Sequence, residues 1–347
     1  MGDRRQTPDA IPAVAIFGCG RIGSALDESG SAHVLTHAAA CAQHPRLRLA
    51  ALCDADPERL REAGRARHVS ALYTDADALL EGTPIDVAVI ATPTHLRTPV
   101  VQSALDAGVR TFVIEKPLAS SLEEAEHLAQ LLRAHDATVS VNYLRRYAAG
   151  LIDARERLVR GDLGAPQVAR VLYGKGLSNN GSHAIDLMRW WLGEPSQVTA
   201  LGHVSDGRDD DTTLHAHYTL RTNGGALPVT LQGCDHRAIS LFELDVLCAH
   251  GRLRLTDRGD QVRISTVTED PAFPGYSALG AEIVTLGGVS DALAGLWDDL
   301  VAVLSGQRDA PRCTLEDGLA ALRIVESTRL ASRRGEVTQI PDPSMTR

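Results

Sequence analysis

The chain has 347 residues, of which 44% are hydrophobic and 23% charged; this is the length of two domains with their own cores and the composition of a water-soluble globular protein. No run approaches the roughly 18 apolar residues that span a bilayer, and the stretch Met1 to Asp9 is polar, without the apolar core of a signal peptide, so no membrane partner and a cytoplasmic location are expected. A net charge of −9 and the lack of a basic stripe with interleaved aromatics argue against nucleic acid, and six cysteines without C-x-x-C spacing argue against a disulfide frame or a structural zinc site.

Residues 13–17 read as the first strand, and it stops at a G-x-G-x-x-G formed by Gly18, Cys19, Gly20, Arg21, Ile22 and Gly23. Three glycines at this spacing let the chain turn sharply out of a strand. They also expose N–H groups to a pyrophosphate and let the next helix pack close. The second strand, 47–53, ends at Asp54. A carboxylate there accepts hydrogen bonds from ribose hydroxyls and repels a 2′-phosphate, which predicts NAD rather than NADP. The same aspartate also suits an Asx-turn before Pro57, and the two readings are compatible. Asp54 lies 31 positions after Gly23, where about 20 is usual. The excess fits a polar insertion over Leu26 to His33, after which Thr36 is expected to cap a helix running to Gln43.

Strands and helices then alternate. Further strands are expected at 86–91, 110–115 and 138–142, and helices at 36–43, 57–64, 75–81, 95–107 and 121–135, the last capped by Ser120 or Ser121. Near-continuous apolar runs such as Val87 to Ala91 suit strands buried on both faces of a parallel sheet. The expected fold class is α/β, with a Rossmann-type doubly wound parallel sheet over residues 1–142. From residue 143 onward the pattern changes. A helix at about 147–160 precedes strand-like runs at 167–175, 197–204, 212–222, 226–234, 241–249 and 261–267, with a hairpin turn at Asn223 to Gly225. These predict a second α/β domain, 143–347, built on an open, largely antiparallel sheet. Helices are expected at 182–192, 290–304 and 315–333, the last entered through Thr314 and Asp317.

Several residues are placed to do chemistry. Thr92, Pro93 and His95 follow the 86–91 strand, at the sheet edge where ligands lie; a plain helix entry is the alternative. Glu115, Lys116 and Pro117 end the next strand. A lysine there can hold a substrate hydroxyl and stabilise developing oxyanion charge, although in isolation it also reads as a surface residue. His183 begins a helix and is a candidate general base, since imidazole titrates near neutrality and a helix N-terminus disfavours its cationic form; a helix cap is the alternative. Asp186 reads mainly as a helix-start residue. His215 and His217 share a strand face but lack a third ligand nearby, so no metal is expected. His236 ends a strand and is expected to border the substrate pocket.

In order, the G-x-G-x-x-G, Asp54, Thr92-Pro93, Glu115-Lys116-Pro117 and the Gly181-Ser182-His183-x-x-Asp186 helix start resemble the Gfo/Idh/MocA family of NAD(P)-dependent oxidoreductases, over nearly the whole chain. The resemblance implies a C-terminal sheet that often forms a subunit interface, hence a homo-oligomer. It implies that Lys116 binds substrate beside the nicotinamide and that His183 accepts the proton. The chain departs from the pattern twice. Asn179 stands where relatives carry Asp, which speaks against a two-residue proton relay and leaves His183 alone, or His183 with Lys116, to do the work, and Arg97 stands where relatives place His.

These readings converge on hydride transfer between NAD and a secondary alcohol or ketone of a sugar-like substrate. Tyr143, Arg146, Lys175, Asn179 and Asn180 are then candidate polyol binders. Two alternatives are transient oxidation by a retained cofactor, giving epimerisation or elimination without net redox change, and a non-enzymatic nucleotide sensor.

Overall fold

The structure is a computed structural model that describes residues 11–27, 34–208, 210–222 and 225–341. The described residues form two units, 1–144 with 290–319 and 145–289 with 320–347.

In the first unit the order is β1 (Ala13–Phe17), α1 (His37–Gln43), β2 (Arg48–Cys53), α2 (Pro57–Arg67), β3 (Leu72–Tyr73), α3 (Ala76–Gly82), β4 (Val87–Ile90), α4 (Arg97–Asp106), β5 (Thr111–Ile114), α5 (Leu122–Ala134) and β6 (Thr138–Val141). All strands are parallel, in the order β3-β2-β1-β4-β5-β6. Strands β1, β4 and β5 are buried on both faces, which is why they read as unbroken apolar runs. The helix starts follow capping chemistry. Thr36 accepts from Ala39 N at 3.2 Å, Asp56 from Glu58 N at 3.0 Å, Asp75 from Ala78 N at 2.9 Å and Ser121 from Glu124 N at 3.2 Å. The sequence leaves two candidates for the α5 cap, and Ser121 fills the role. Most of the expected insertion (28–33) lies outside the described residues. Asp27, at its start, accepts from Leu35 N at 2.9 Å and Thr36 N at 3.2 Å.

The second unit continues with α6 (Ala149–Arg160), β7 (Pro166–Gly174), α7 (Ser182–Leu192), β8 (Pro195–Val204), β9 (Thr213–Thr222), β10 (Gly225–Cys234), β11 (Phe242–Cys248), β12 (Gly251–Thr256), β13 (Gln261–Glu269), β14 (Ser277–Leu279) and β15 (Ile283–Leu286). Two of the expected turn residues between β9 and β10, 223 and 224, lie outside the described residues. The chain then adds α8 (Ala292–Leu304), α9 (Leu315–Arg334) and β16 (Thr338–Gln339). The order in this sheet is β14-β13-β12-β11-β7-β10-β9-β8-β16, with β15 also on β13. It is antiparallel except for β7 and β10, which run parallel from Ala169↔Val229 to Gly174↔Cys234. Alternation puts Val171, Tyr173, Tyr218, Leu231 and Leu244 in the core. Tyr218 Oη pairs with Thr328 Oγ1 of α9 at 2.8 Å.

The sequence reading misses β3, β12 and β14 to β16. It also leaves 290–319 with the second domain, whereas these residues pack with the first unit. Trp297 of α8 is buried with its ring 6.1 Å from that of His37, edge to face. Val141 N of β6 donates to Cys313 O at 3.0 Å. The segment therefore packs against α1 and the end of β6. A two-layer βαβ pattern carries no sign of which later helix fills that place. Among the described residues no helix is long and apolar enough to cross a membrane.

Candidate active site

The first unit gathers its candidate residues on the C-terminal edge of the parallel sheet. The strand order reverses between β1 and β4, the switch point where doubly wound sheets take ligands. The three glycines have separate jobs there. Gly18 sits at φ +101°, and a Cβ on it would lie 2.6 Å from Ala91 O. A Cβ on Gly23 would lie 1.9 Å from Gly18 O, so Gly23 allows the close approach of turn and helix. A Cβ on Gly20 would meet nothing within 4 Å. Gly20 instead keeps its backbone bare toward open space, as a pyrophosphate needs. Residues 21–25, which include Arg21 and Ile22, form one wide helical turn after it.

Asp54 stands beside this turn, 8% exposed. Its Oδ2 accepts from Cys19 N at 2.7 Å, its Oδ1 from Asp56 N at 2.9 Å, and Arg59 Nη1 reaches both oxygens at 3.0 and 3.2 Å. The carboxylate is thus fixed before any ribose arrives. It makes the Asx-type turn as well, while Asp56 is the actual cap of α2. Burial, with the Asp54 charge adding to it, pushes the Cys19 thiol up to about 12, so Cys19 contributes its backbone and no thiolate.

Two loops complete this edge. After β4, Thr92 has its hydroxyl buried without a partner among the described residues, while Pro93 and His95 are exposed. After β5, Lys116 is half-buried and Glu115 points inward. The Glu115 carboxylate receives His37 Nε2 at 3.0 Å and Asn142 Nδ2 at 2.6 Å. Glu115 shares the strand end that the sequence assigns to the cofactor with Lys116, and its carboxylate is enclosed by α1 and the residue after β6. Desolvation would raise its pKa, but the His37 and Asn142 hydrogen bonds and the charge of Arg97 outweigh it and hold the group below the usual carboxylate range. Arg97, 5% exposed, donates from Nε to Thr92 O at 3.2 Å and from Nη1 to Glu115 O and Pro117 O. A bare backbone at Gly20, a preset carboxylate at Asp54 and an unpartnered buried hydroxyl at Thr92 suit a dinucleotide laid along this edge.

The second unit gathers its candidates at one end of the mixed sheet. β7 and β10 end side by side, so Lys175 and His236 leave neighbouring strands. The loop 176–181 then folds around Asp211, which accepts from Ser178 N at 2.8 Å and Asn179 N at 3.0 Å. Gly176, at φ +86°, is required because a Cβ would lie 2.1 Å from Asp211 Oδ2. Arg329 of α9 holds Ser178 Oγ at 2.5 Å and Asp211 Oδ1 at 3.4 Å. This loop delivers Asn179, Asn180 and then His183, a half-buried residue in the first turn of α7. His236 Nδ1 pairs with Asp206 Oδ2 at 3.2 Å, and Thr213 Oγ1 donates to the same oxygen at 2.7 Å.

Two expected polyol binders are placed differently. Arg146 is buried in a forked ion pair with Asp186, at 2.8 to 3.1 Å. Its guanidinium anchors α7, and Asp186 is this ion-pair partner more than a helix-dipole residue. Tyr143 is 1% exposed and belongs to the first unit. Sequence reasoning missed His37, Asn142, Asp206, Asp211 and Arg329. Each acts on a residue far away in sequence, and no local motif marks it.

Residues 13–143 match the family GFO_IDH_MocA, described as an oxidoreductase family with an NAD-binding Rossmann fold, and residues 155–254 match the GFO/IDH/MocA C-terminal domain. The chain belongs to the GFO/IDH/MocA oxidoreductase family. It is 26% identical to a D-apiose dehydrogenase of Paraburkholderia graminis over 84% of this chain and 83% of that protein. It is 28% identical to the myo-inositol dehydrogenase Hyg17 of Streptomyces leeuwenhoekii over 87% and 95%. Its fold matches a scyllo-inositol dehydrogenase of Lactobacillus casei, solved with NAD(H) and scyllo-inositol, with a TM-score of 0.71, 19% identity, and coverage of 95% of this chain and 99% of that one. The chain is an NAD-dependent oxidoreductase of this family, and the expected cofactor and fold class hold.

Two outcomes follow from this geometry. Gly23→Ala forces overpacking worth about 1–3 kcal/mol and is expected to lower the thermal midpoint by several degrees. Gly20→Ala should leave the midpoint unchanged yet weaken NAD binding about tenfold or more, a loss of at least ~1.4 kcal/mol. Calorimetric titration of both variants checks this, and a Gly20→Ala protein that binds NAD like the parent would refute the role given to Gly20. The second outcome concerns Glu115. Because its folded pKa is depressed, it stabilises the fold above the ordinary Glu value of about 4.3, and that stability is lost as pH falls through the lower folded value. Glu115→Gln should therefore lower the midpoint at pH 7 and flatten part of its decline below about pH 4. Identical acid limbs in melts of the two proteins would count against it.

Proposed function

We propose that this protein oxidises a secondary alcohol of a sugar-like polyol (a sugar, a cyclitol or a nucleotide sugar) and reduces the corresponding ketone in reverse. The observation that carries the reading is that the apiose and myo-inositol dehydrogenases described above align with this chain through both units, and not with the Rossmann unit alone. Bound NAD supplies the hydride acceptor. His183 Nε2 or Nδ1 takes the hydroxyl proton as the carbinol is oxidised, and imidazole is suited to this because it titrates near neutral pH. Lys116 orients the substrate oxygen and stabilises negative charge developing on it. Lys175, Asn179, Asn180 and His236 supply further hydroxyl contacts, and the mix of amide, amine and imidazole groups suits a ligand with many hydroxyls and little apolar surface. Asp54 makes NAD the preferred cofactor over NADP, because a fixed carboxylate repels a 2′-phosphate.

We also propose self-association through the exposed face of the mixed sheet. Val168 and Leu247 are paired across β7 and β11 and are 42% and 37% exposed there. Leu247→Lys should then reduce the assembled mass in light scattering without lowering the thermal midpoint, and an unchanged mass would remove this surface from consideration.

Screening purified protein with NAD against cyclitols, free sugars and nucleotide sugars, by the near-UV absorbance of NADH, tests the activity. On the best substrate, His183→Ala is expected to lower kcat by roughly 10²–10⁴, and Lys116→Met should also lower it. Turnover at the parent rate in His183→Ala would end its assignment as the base.

A further inference from the structure

The loop after β4 and the loop after β5 are separate pieces of chain at the same sheet edge, and one side chain reaches both. Arg97 opens α4 and is almost fully buried. Its Nε donates to Thr92 O at 3.2 Å, and its Nη1 donates to the carbonyls of Glu115 and Pro117. Those two carbonyls flank Lys116. We propose that Arg97 is the positioning residue for the nicotinamide side of the site: one guanidinium fixes the Thr92 loop and grips the backbone on either side of Lys116, which sets where that lysine's side chain departs. This rests on the role given to Lys116 above.

Three features support a device rather than an incidental contact. Arginine alone offers five N–H donors in a planar fork, so a single residue can satisfy three carbonyls on two loops. A lysine has one nitrogen from which to attempt this, and an apolar residue would leave buried carbonyls unpaired. Burial is unfavourable to the cation and lowers the Arg97 pKa to about 10, with the Glu115 charge acting against that shift. The group still carries its charge at neutral pH. Finally, Glu115 is held from its other end as well, through its carboxylate to His37 and Asn142. Lys116 therefore lies between a residue fixed at both carbonyl and side chain and a proline fixed at its carbonyl.

The test separates the two halves of the cofactor. ADP-ribose keeps the adenosine and pyrophosphate groups and lacks nicotinamide, so its binding reports on Gly20 and Asp54 but not on the loops that Arg97 holds. In calorimetric titrations, Arg97→Met is expected to bind ADP-ribose within about twofold of the parent and NAD about tenfold or more weakly. Arg97→Lys, which keeps the charge, should fall between them and serves if Arg97→Met does not fold. Equal losses for both ligands, or no loss for either, would overturn the proposal, because a residue that merely supports the fold does not discriminate between them. A double-mutant cycle on kcat with the best polyol tests the link to Lys116. If Arg97 acts through that lysine, Arg97→Lys should lower kcat in the parent and hardly at all in a Lys116→Met background. Multiplying losses would refute that link. If Lys116→Met itself leaves kcat unchanged, the assignment of Lys116 fails, and the titrations still decide whether Arg97 places the nicotinamide-side loops.

Discussion

The carboxylate of Glu115 is buried, and its neighbours are arranged around that fact. An ionised carboxyl in a protein interior is tolerated only when hydrogen-bonded and charge-balanced. Here His37 of α1 and Asn142 at the end of β6 supply the hydrogen bonds, and Arg97 of α4 supplies the balancing charge. His37 faces Glu115 through Nε2, and its Nδ1 is buried without a partner among the described residues. Trp297 packs against the same ring. One charge thus ties together two strand ends and three helices at the sheet edge that carries the cofactor loops. The sequence signature around Lys116 is as much a requirement of this interior as of the chemistry at the lysine.

The second unit uses the same device near its own candidate base. Asp186 is three residues after His183, on the same face of α7, and its carboxylate is forked onto Arg146. Removing either partner would strand a buried charge, at a cost of about 3–5 kcal/mol. The first turn of α7 is therefore held by an ion pair formed before any substrate is present, and a general base on that turn inherits its rigidity. The guanidinium of Arg146 serves the helix and is not available as a polyol donor. Both units fix the backbone around a proposed functional side chain with buried charge, and leave Lys175 exposed and Asn180 half-buried.

What could be read from the sequence divides along the range of the interactions. The βα alternation, the glycine turn, Asp54 and the caps of α1 and α5 depend on residues a few positions apart, and local patterns reveal them. The parallel β7–β10 pair joins strands some sixty positions apart in an otherwise antiparallel sheet, and neither strand's alternation distinguishes the two directions. The two-residue strands β3 and β16 are too short for a period. Within the site, Asp186 reads as a dipole residue because its partner is forty positions away, and Glu115 reads as a ligand contact because a conspicuous motif says nothing about which way a side chain turns. Arg97 is visible as a departure from its relatives, but its purpose depends on carbonyls brought together only by the sheet.

The other departure, Asn179, has a physical answer in the loop around Asp211. An amide at 179 cannot titrate, so it cannot hand a proton on from His183. Negative charge is nevertheless present beneath the loop, on a carboxylate supplied by a different segment. Both oxygens of Asp211 are occupied by the amides of Ser178 and Asn179, and Arg329 lies against one of them. A carboxylate bound in this way shapes the loop. The charge that could serve in a relay is here spent on holding the backbone of 176–181 in its turn, with Gly176 left bare to admit it. In the reaction proposed above, His183 then passes its proton to water rather than to position 179, and Lys116 is the only other titrating group proposed at the reacting oxygen.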